Sequence, residues 1–449
     1  MRRSFRRFTA ITAVAAGAVL ALGSAVAPAT ADHVPGDQPL PGYTINNPPL
    51  APAVVNGVPA HVLQGVYRHA AYDIEVPPKW NGELVMWAHG YRGNGTVLTV
   101  DPPAFGLRQK LLDEGYAWAA SSYYDNGYDV RAGVLSTHDL ALLFRRAVHP
   151  PRRTLITGVS MGGHVIGRSV EQYRGFYAGA MPMCGVLGDD TLFDFFLDYN
   201  VVGQDLAGVR AYPPPADYLT NAVPKIEHAL GIDTLQPGGP DTTNDLGEQF
   251  RSIVINRSGG PRPGAVQAFP IWKDFLFSLG AQATGDDLAT NPGLIATNVH
   301  TRYEPNSPVD VNRTVQRVPI ADPRDRFTPR LIESPQIFGV PSAPVLSLHG
   351  LGDMFVPFSM EQVYRSDVAR HGRSGLVVQR AIRTAQHCEF SNVEAGTAWD
   401  DLVAWVHRGK RPAGDNVSRP SAADFGCRFS DQAAYAAGTG TRRLFPACP

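Results

Sequence analysis

The sequence has little lysine, little cysteine and no excess of charge of either sign. Only five of its 40 basic residues are lysine, and the formal net charge of the 449-residue chain is −1. This balance gives no indication of nucleic acid or an anionic membrane as a partner. The 13 histidines show no metal-ligand spacing, so the sequence implies neither a metal nor another cofactor.

The first 31 residues have the pattern of an export signal. Four arginines lie within the first seven residues, residues 8–27 are nearly all apolar or small, and Ala29-Thr30-Ala31 forms a small-x-small cleavage site. The paired arginines also allow twin-arginine export, and an uncleaved membrane anchor is the alternative to cleavage. We expect cleavage before Asp32. The secreted, extracellular chain then has no stable membrane insertion, and loss of four arginines and no acids lowers its net charge from −1 to −5.

Strand and helix patterns alternate along most of the chain, of which 44% is hydrophobic. Alternation of this kind predicts an α/β protein with a mostly parallel central sheet and helices on both faces. The alternation stops in a Pro- and Gly-rich stretch and later resumes. We therefore expect a signal peptide at 1–31, a core at 32–190, a cap or lid insertion at 191–339, further core at 340–410 and a C-terminal tail at 411–449.

A G-x-S-x-G motif at residues 158–162 is centred on Ser160. A short apolar strand enters the motif and a helical pattern leaves it, which is the arrangement of a nucleophile elbow. The turn strains the serine backbone and brings neighbouring chain close, so glycines are needed on both sides. An ordinary Gly-rich turn is the alternative, but the context favours Ser160 as a nucleophile.

His89-Gly90-Tyr91 follows the strand pattern at 83–88. The backbone N–H groups of Tyr91 and Met161 are placed to form an oxyanion hole, one after this strand and one after the nucleophile. For His89 we favour a buried packing role over proton transfer, because a better base lies downstream.

Asp353 and His387 complete a candidate catalytic triad. Asp353 ends the segment His349-Gly350-Leu351-Gly352-Asp353 after a late strand pattern, and His387 follows the last strand pattern, 34 residues later. The chain order Ser, Asp, His is the one expected for a hydrolase elbow on an α/β sheet. The alternatives are a turn aspartate that caps the next helix and a satisfied core histidine.

These motifs resemble the α/β-hydrolase superfamily over about residues 55–190 and 340–410, as in secreted bacterial esterases and lipases. Tyr91 with Met161 resembles the oxyanion pair of cutinase-like polyester hydrolases, which are small and lack a cap. His387-Cys388 is similar to the tannase and feruloyl esterase pattern, although Val159 stands before Ser160 where that pattern has cysteine. The resemblance implies the α/β-hydrolase fold, here with a large, mainly helical cap insertion.

Four cysteines in an exported chain favour two disulfides. Cys427 and Cys448 both lie in the tail and should close a local loop. Cys184 and Cys388 both follow strand patterns at the catalytic edge of the sheet, so we expect them to form the second bond. Two buried free thiols are the alternative for this second pair.

From their sequence context, the remaining candidates are interpreted as structural residues. Asp189, Asp190, Asp194 and Asp198 are interpreted as a helix start with a solvated acidic face rather than a calcium site. Four aromatics beside them are interpreted first as packing residues, with a role in a substrate pocket as the alternative: Phe193, Phe195, Phe196 and Tyr199.

The predicted activity is hydrolysis of a small-molecule or polymeric carboxylic ester through an acyl-enzyme. A secreted serine peptidase or amidase is the first alternative, because the same triad cleaves both kinds of bond. A non-catalytic binding protein on a hydrolase scaffold is the second.

Overall fold

The computed structural model describes residues 36–280, 287–289, 291–321 and 323–449. The predicted signal peptide at 1–31 lies outside the described residues. Within the described part of the chain, no helix combines the length and the hydropathy needed to cross a membrane.

The central feature is an eight-stranded sheet. Its strands are β1 (His61–Tyr67), β2 (Ala70–Val76), β3 (Glu83–Ala88), β4 (Ala117–Ser121), β5 (Arg153–Val159), β6 (Tyr177–Met183), β7 (Val345–Gly350) and β8 (Val377–Ile382). Their spatial order is β1-β2-β4-β3-β5-β6-β7-β8. Strand β2 runs antiparallel to both of its neighbours, whereas the other adjacent strands pair in parallel. The prediction of an α/β protein with a mostly parallel central sheet is therefore confirmed.

Helices cover both faces of the sheet because its strands alternate their side chains between two cores. On β3, Leu84 and Met86 belong to one core, and Val85 and Trp87 belong to the other. Helices α1 (Leu107–Asp113) and α9 (Asn392–Arg408) pack in the second core. The first core takes α2 (Val130–Ala147), α3 (Met161–Gln172) and α8 (Ser359–Arg370).

Between β6 and β7 the chain forms α4 (Thr191–Leu206), α5 (Val223–Leu230), α6 (Asp245–Arg257) and α7 (Ala265–Ser278). Their apolar faces pack in the same core as α2 and α3. We call residues 184–344, which join β6 to β7, the inserted segment. Its described residues also contain four one-turn elements: Tyr218–Ala222, Pro292–Leu294, Val311–Thr314 and Pro323–Asp325.

The remaining elements are short. Thr44–Ile45 pairs with Val97–Leu98, and Val54–Val55 pairs with Val58–Pro59. The C-terminal region contains Gln432–Ala436 and Gly440–Leu444. It lies against the core near the end of β8, since Thr441 accepts a hydrogen bond from the Ala385 backbone and Arg442 pairs with Glu394.

Candidate active site

Ser160 occupies the turn between β5 and α3. Its backbone has φ 58° and ψ −125°, a strained conformation for a residue with a side chain. A Cβ atom added to Gly158 or Gly162 would lie 2.0 or 2.1 Å from the carbonyl oxygen of Ala88. Only glycine fits at these two positions, so the motif's glycines allow the sharp turn that presents the Ser160 hydroxyl.

His387 connects Ser160 to Asp353 through two hydrogen bonds. Its Nε2 lies 2.8 Å from Ser160 Oγ, and its Nδ1 lies 2.6 Å from Asp353 Oδ2. An ionised carboxylate only accepts hydrogen bonds, so the Nδ1 atom carries the imidazole proton and Nε2 accepts from the serine hydroxyl. This is the geometry that a serine nucleophile with an oriented base beside it would require.

The Asp353 carboxylate is fully buried and is held by the chain that follows it. Its Oδ1 accepts hydrogen bonds from the backbone N–H groups of Phe355 and Val356, each at 3.0 Å. One oxygen is therefore fixed by the loop, and the other remains available to His387. The predicted triad residues come together from the ends of β5, β7 and β8.

Tyr91 and Met161 lie beside Ser160, as the oxyanion prediction requires. Met161 is the first residue of α3, and both residues line the same cavity as Ser160. A Cβ added to Gly90 would lie 2.9 Å from Ser160 Cβ, which puts the backbone before Tyr91 against the nucleophile. The Tyr91 hydroxyl donates to Asp287 at 3.1 Å, a contact that the motif did not predict.

His89 is buried and stacks on Tyr123, with ring centroids 3.8 Å apart. Its two ring nitrogens lie 2.6 and 3.1 Å from the carbonyl oxygens of Gly90 and Ser122. Burial lowers the pKa of His89 to about 3, so the ring is neutral at neutral pH. These contacts are those of the packing histidine that the sequence analysis favoured.

The structure joins Cys184 to Cys388 and Cys427 to Cys448, the pairing expected from the sequence. Cys388 Sγ lies 3.3 Å from His387 Nε2, so the first bond ties the histidine loop to the end of β6. Cys184, His387 and Cys388 are close enough together to resemble a metal-ligand set. Their sulfur atoms are bonded to each other, however, and a disulfide offers no thiolate to a metal.

A cavity of about 360 Å³ opens beside Ser160. Most of its wall is aromatic or aliphatic, and the side chains that form this wall include Val186, Leu192, Phe193, Phe196, Phe275 and Phe355. No Asp, Glu, Lys or Arg is among the described residues that line it. The described residues of this wall suit an apolar group of a substrate.

Phe355 forms part of the cavity wall, a role that the sequence did not predict. Its ring lies 5.0 Å from the His387 ring, centroid to centroid, and 4.9 Å from Phe275. The position of Phe355, two residues after Asp353, was a signal that could have identified it. Phe275 gave no such signal, because its sequence context shows only one face of an amphipathic helix.

The interpretation of the acidic residues near α4 as a solvated face is wrong. Asp190, Asp194 and Asp198 are all buried, and Asp189 is half-buried. Asp194 pairs with Arg326, and Asp198 pairs with Arg257, both within the inserted segment. Burial raises the pKa of Asp190 well above its usual value, and the neighbouring charge of Asp189 adds to this. A helical face with acids at every fourth residue looks solvated until the partners, over 50 residues away, are known.

The four aromatics of α4 divide between the two roles considered for them. Phe193 and Phe196 line the cavity. Phe195 is buried in the core, and the Tyr199 hydroxyl donates to the backbone oxygen of Lys273 at 3.0 Å.

Comparison with known proteins gives few sequence matches. No model of a protein family matches the chain. An o-phthalyl amidase from Xanthobacter agilis is 27% identical over 77 residues, which are 17% of this chain and 17% of the amidase. The chain thus aligns with less than a fifth of the curated relative that it matches.

Solved structures resemble the chain more widely, at low identity. An esterase from Aspergillus oryzae has 13% identity and a TM-score of 0.47, with coverage of 78% of this chain and 80% of that one. Feruloyl esterase B from Aspergillus oryzae has 15% identity and a TM-score of 0.46, with coverage of 80% and 83%. An acylaminoacyl peptidase from Pyrococcus horikoshii has 11% identity and a TM-score of 0.34, with coverage of 72% and 37%.

Proposed function

We propose that the protein is a secreted serine hydrolase that cleaves carboxylic esters with an apolar acyl group. The observation that carries this proposal is the hydrogen-bonded chain from Asp353 through His387 to Ser160, at 2.6 and 2.8 Å, beside an apolar cavity. The two disulfides support export, because such bonds form and persist in oxidising compartments.

The reaction begins when Ser160 Oγ attacks the ester carbonyl carbon and His387 Nε2 takes the hydroxyl proton. The carbonyl oxygen becomes an oxyanion, which accepts hydrogen bonds from the backbone N–H groups of Tyr91 and Met161. Asp353 stabilises the imidazolium that has formed. Collapse of the intermediate breaks the bond to the alcohol, which leaves with the proton from His387.

The acyl group is then bound to Ser160 through an ester bond. A water molecule gives a proton to His387 and attacks the acyl carbon, and a second tetrahedral intermediate forms. Its collapse returns the proton to Ser160 Oγ and releases the carboxylic acid. We propose that the inserted segment acts as a cap here, since Phe193, Phe196 and Phe275 form part of the cavity wall.

A screen of the purified chain without residues 1–31 tests the proposal. We expect hydrolysis of p-nitrophenyl esters with apolar acyl chains, and labelling of Ser160 by a fluorophosphonate. Absence of both would favour the alternative of a non-catalytic binding protein on a hydrolase scaffold.

Amide hydrolysis is the second candidate, favoured by the local match to an o-phthalyl amidase. Phthalyl amides and aminoacyl anilides in the same screen separate the two activities. Higher kcat/KM for these amides than for every ester would replace the ester assignment. An aminopeptidase is disfavoured, because a substrate ammonium group would find no carboxylate among the described residues that line the cavity.

A further inference from the structure

Two side chains of the inserted segment donate hydrogen bonds to the backbone immediately before Asp353. Arg262 Nε lies 2.6 Å from the carbonyl oxygen of Leu351, and Trp272 Nε1 lies 2.9 Å from that of Gly352. Both side chains are buried. The loop that carries the acid is therefore held from outside the sheet, by residues about 80 to 90 positions earlier in the chain.

The same Trp272 N–H also reaches the loop that carries the base. Its Nε1 lies 2.9 Å from the carbonyl oxygen of Ala385, which is two residues before His387. The indole N–H of Trp272 is thus shared between two carbonyl oxygens. That of Gly352 lies one residue before Asp353, and that of Ala385 lies two residues before His387.

The two loops touch at this point. A Cβ added to Gly352 would lie 2.8 Å from Ala385 Cα and 2.8 Å from the Cβ of Ala268, on the helix α7 that carries Trp272. Because the loops and the helix are in direct contact, a shift of the indole displaces both loops relative to each other. The Asp353–His387 hydrogen bond spans the same two loops.

Arg262 adds a charge to these contacts. Its hydrogen-bond acceptors are neutral oxygens of Leu351, Gly260 and Ser258. Burial lowers the pKa of the guanidinium to about 9, and the charge of Asp353 acts in the opposite direction. Arg262 is therefore still protonated at neutral pH and places a positive charge near Asp353.

We propose that Trp272, supported by Arg262, is a positioning residue. It holds the loop that carries Asp353 and the loop that carries His387 in a fixed position relative to each other. This inference rests on the proposed function, since it assigns Asp353 and His387 their catalytic roles. Loss of the indole N–H leaves two buried carbonyl groups without this donor, a cost of about 1–3 kcal/mol for each group. Relaxation of the loops relieves that cost and separates the acid from the base.

Trp272→Phe removes the N–H and keeps an aromatic ring. The matched control is Trp80→Phe, because Trp80 Nε1 also donates to a backbone carbonyl, that of Glu83 at 2.8 Å, the first residue of β3. We measure kcat and KM on one p-nitrophenyl ester per active site titrated with a fluorophosphonate, so that unfolded protein does not count. A displacement of about 1 Å in an active site costs up to about 100-fold in rate.

We expect Trp272→Phe to lower kcat about tenfold or more with KM within about twofold, and Trp80→Phe to change neither. An unchanged kcat per titrated site in Trp272→Phe overturns the inference, as does an equal loss in the control. Arg262→Gln is the second variant. If Trp272→Phe does not fold, kcat per titrated site in Arg262→Gln tests the inference by the same criteria. Wild-type protein that neither turns over the ester nor reacts with the probe would instead mean that the proposed function itself is wrong.

Discussion

The catalytic edge of the sheet and the inserted segment contribute to the site in different ways. At the edge, each candidate triad residue lies within five residues after the end of a strand: Ser160 after β5, Asp353 after β7 and His387 after β8. In the inserted segment, Phe193, Trp272 and Phe275 reach the site from helices. In the mechanism that we propose, the edge provides the groups that move protons, and the inserted segment provides apolar wall and support. Changes at the edge should therefore affect kcat most, and changes in the cavity wall should affect substrate choice.

The largest effect is expected from Ser160→Ala. Removal of the nucleophile should lower kcat for ester hydrolysis by about six orders of magnitude and leave the fold intact. Kinetics on a p-nitrophenyl ester, with circular dichroism to check folding, measure both outcomes. The control is Ser169→Ala on the same helix, nine residues further along, which should retain activity. Near-normal turnover by Ser160→Ala would remove the central assignment.

Asp353→Asn should be the next most severe change. An amide cannot stabilise the imidazolium and favours the wrong tautomer of His387, so kcat should fall by about four orders of magnitude. Asp190→Asn is the control, because Asp190 is a buried carboxylate whose partners are Ser334, which donates a hydrogen bond to it, and Arg326, 3.9 Å away. If Asp190→Asn is inactive and Asp353→Asn is not, the acid of the triad has been assigned to the wrong strand.

The candidate residues at the edge could be predicted from the sequence because the motifs that identify them are local. The glycines around Ser160, and the order Ser160, Asp353 and His387, follow from short stretches next to strands. In the inserted segment, the sequence indicated helices but not which side chains contact each other. The ion pair between Asp194 and Arg326 joins residues 132 positions apart, and a hydrophobicity pattern contains no information about such a distance. The shared donor Trp272 was therefore visible only as part of an apolar helix face.

The Cys184–Cys388 bond is expected to have a moderate effect on activity. It joins the residue directly after β6 to the residue directly after His387, and it restrains the loop in which His387 must stay 2.8 Å from Ser160. The double variant Cys184→Ala/Cys388→Ala should lose up to about 100-fold in kcat at temperatures where it is still folded. Activity and thermal unfolding measured on the same sample test this.

The tail disulfide is the matched control for that experiment. Cys427 and Cys448 close a loop with a sequence separation of 21, so removal of both should lower Tm without a change in kcat. Equal losses of kcat in the two double variants would show that the first disulfide has no special effect on His387. Peptide mapping of the non-reduced protein checks the pairing itself, and Cys184 found alkylated or joined to a tail cysteine would contradict it.

The smallest effect is expected in the cavity wall of the inserted segment. Phe275 is 39% exposed, so it lies at the mouth of the cavity, and its ring contacts Phe355. Phe275→Ala removes apolar surface that a long acyl chain would cover but that an acetyl group would not reach. At about 25 cal/mol per Å², a loss of about 40 Å² of contact is worth about 1 kcal/mol, or about fivefold in kcat/KM.

The ratio of kcat/KM values for an octanoate and an acetate ester isolates this effect from any general damage. We expect the ratio to fall about fivefold in Phe275→Ala and to stay constant in Phe327→Ala, which truncates another phenylalanine of the inserted segment, 65% exposed and outside the cavity wall. A ratio that stays constant in both variants would mean that the acyl chain does not run past Phe275. The acyl group would then bind nearer Phe193 and Phe196, deeper in the same cavity. If the ratio falls in both variants, truncation in the inserted segment affects the site by changing the fold of the segment and not by removing a contact with the substrate.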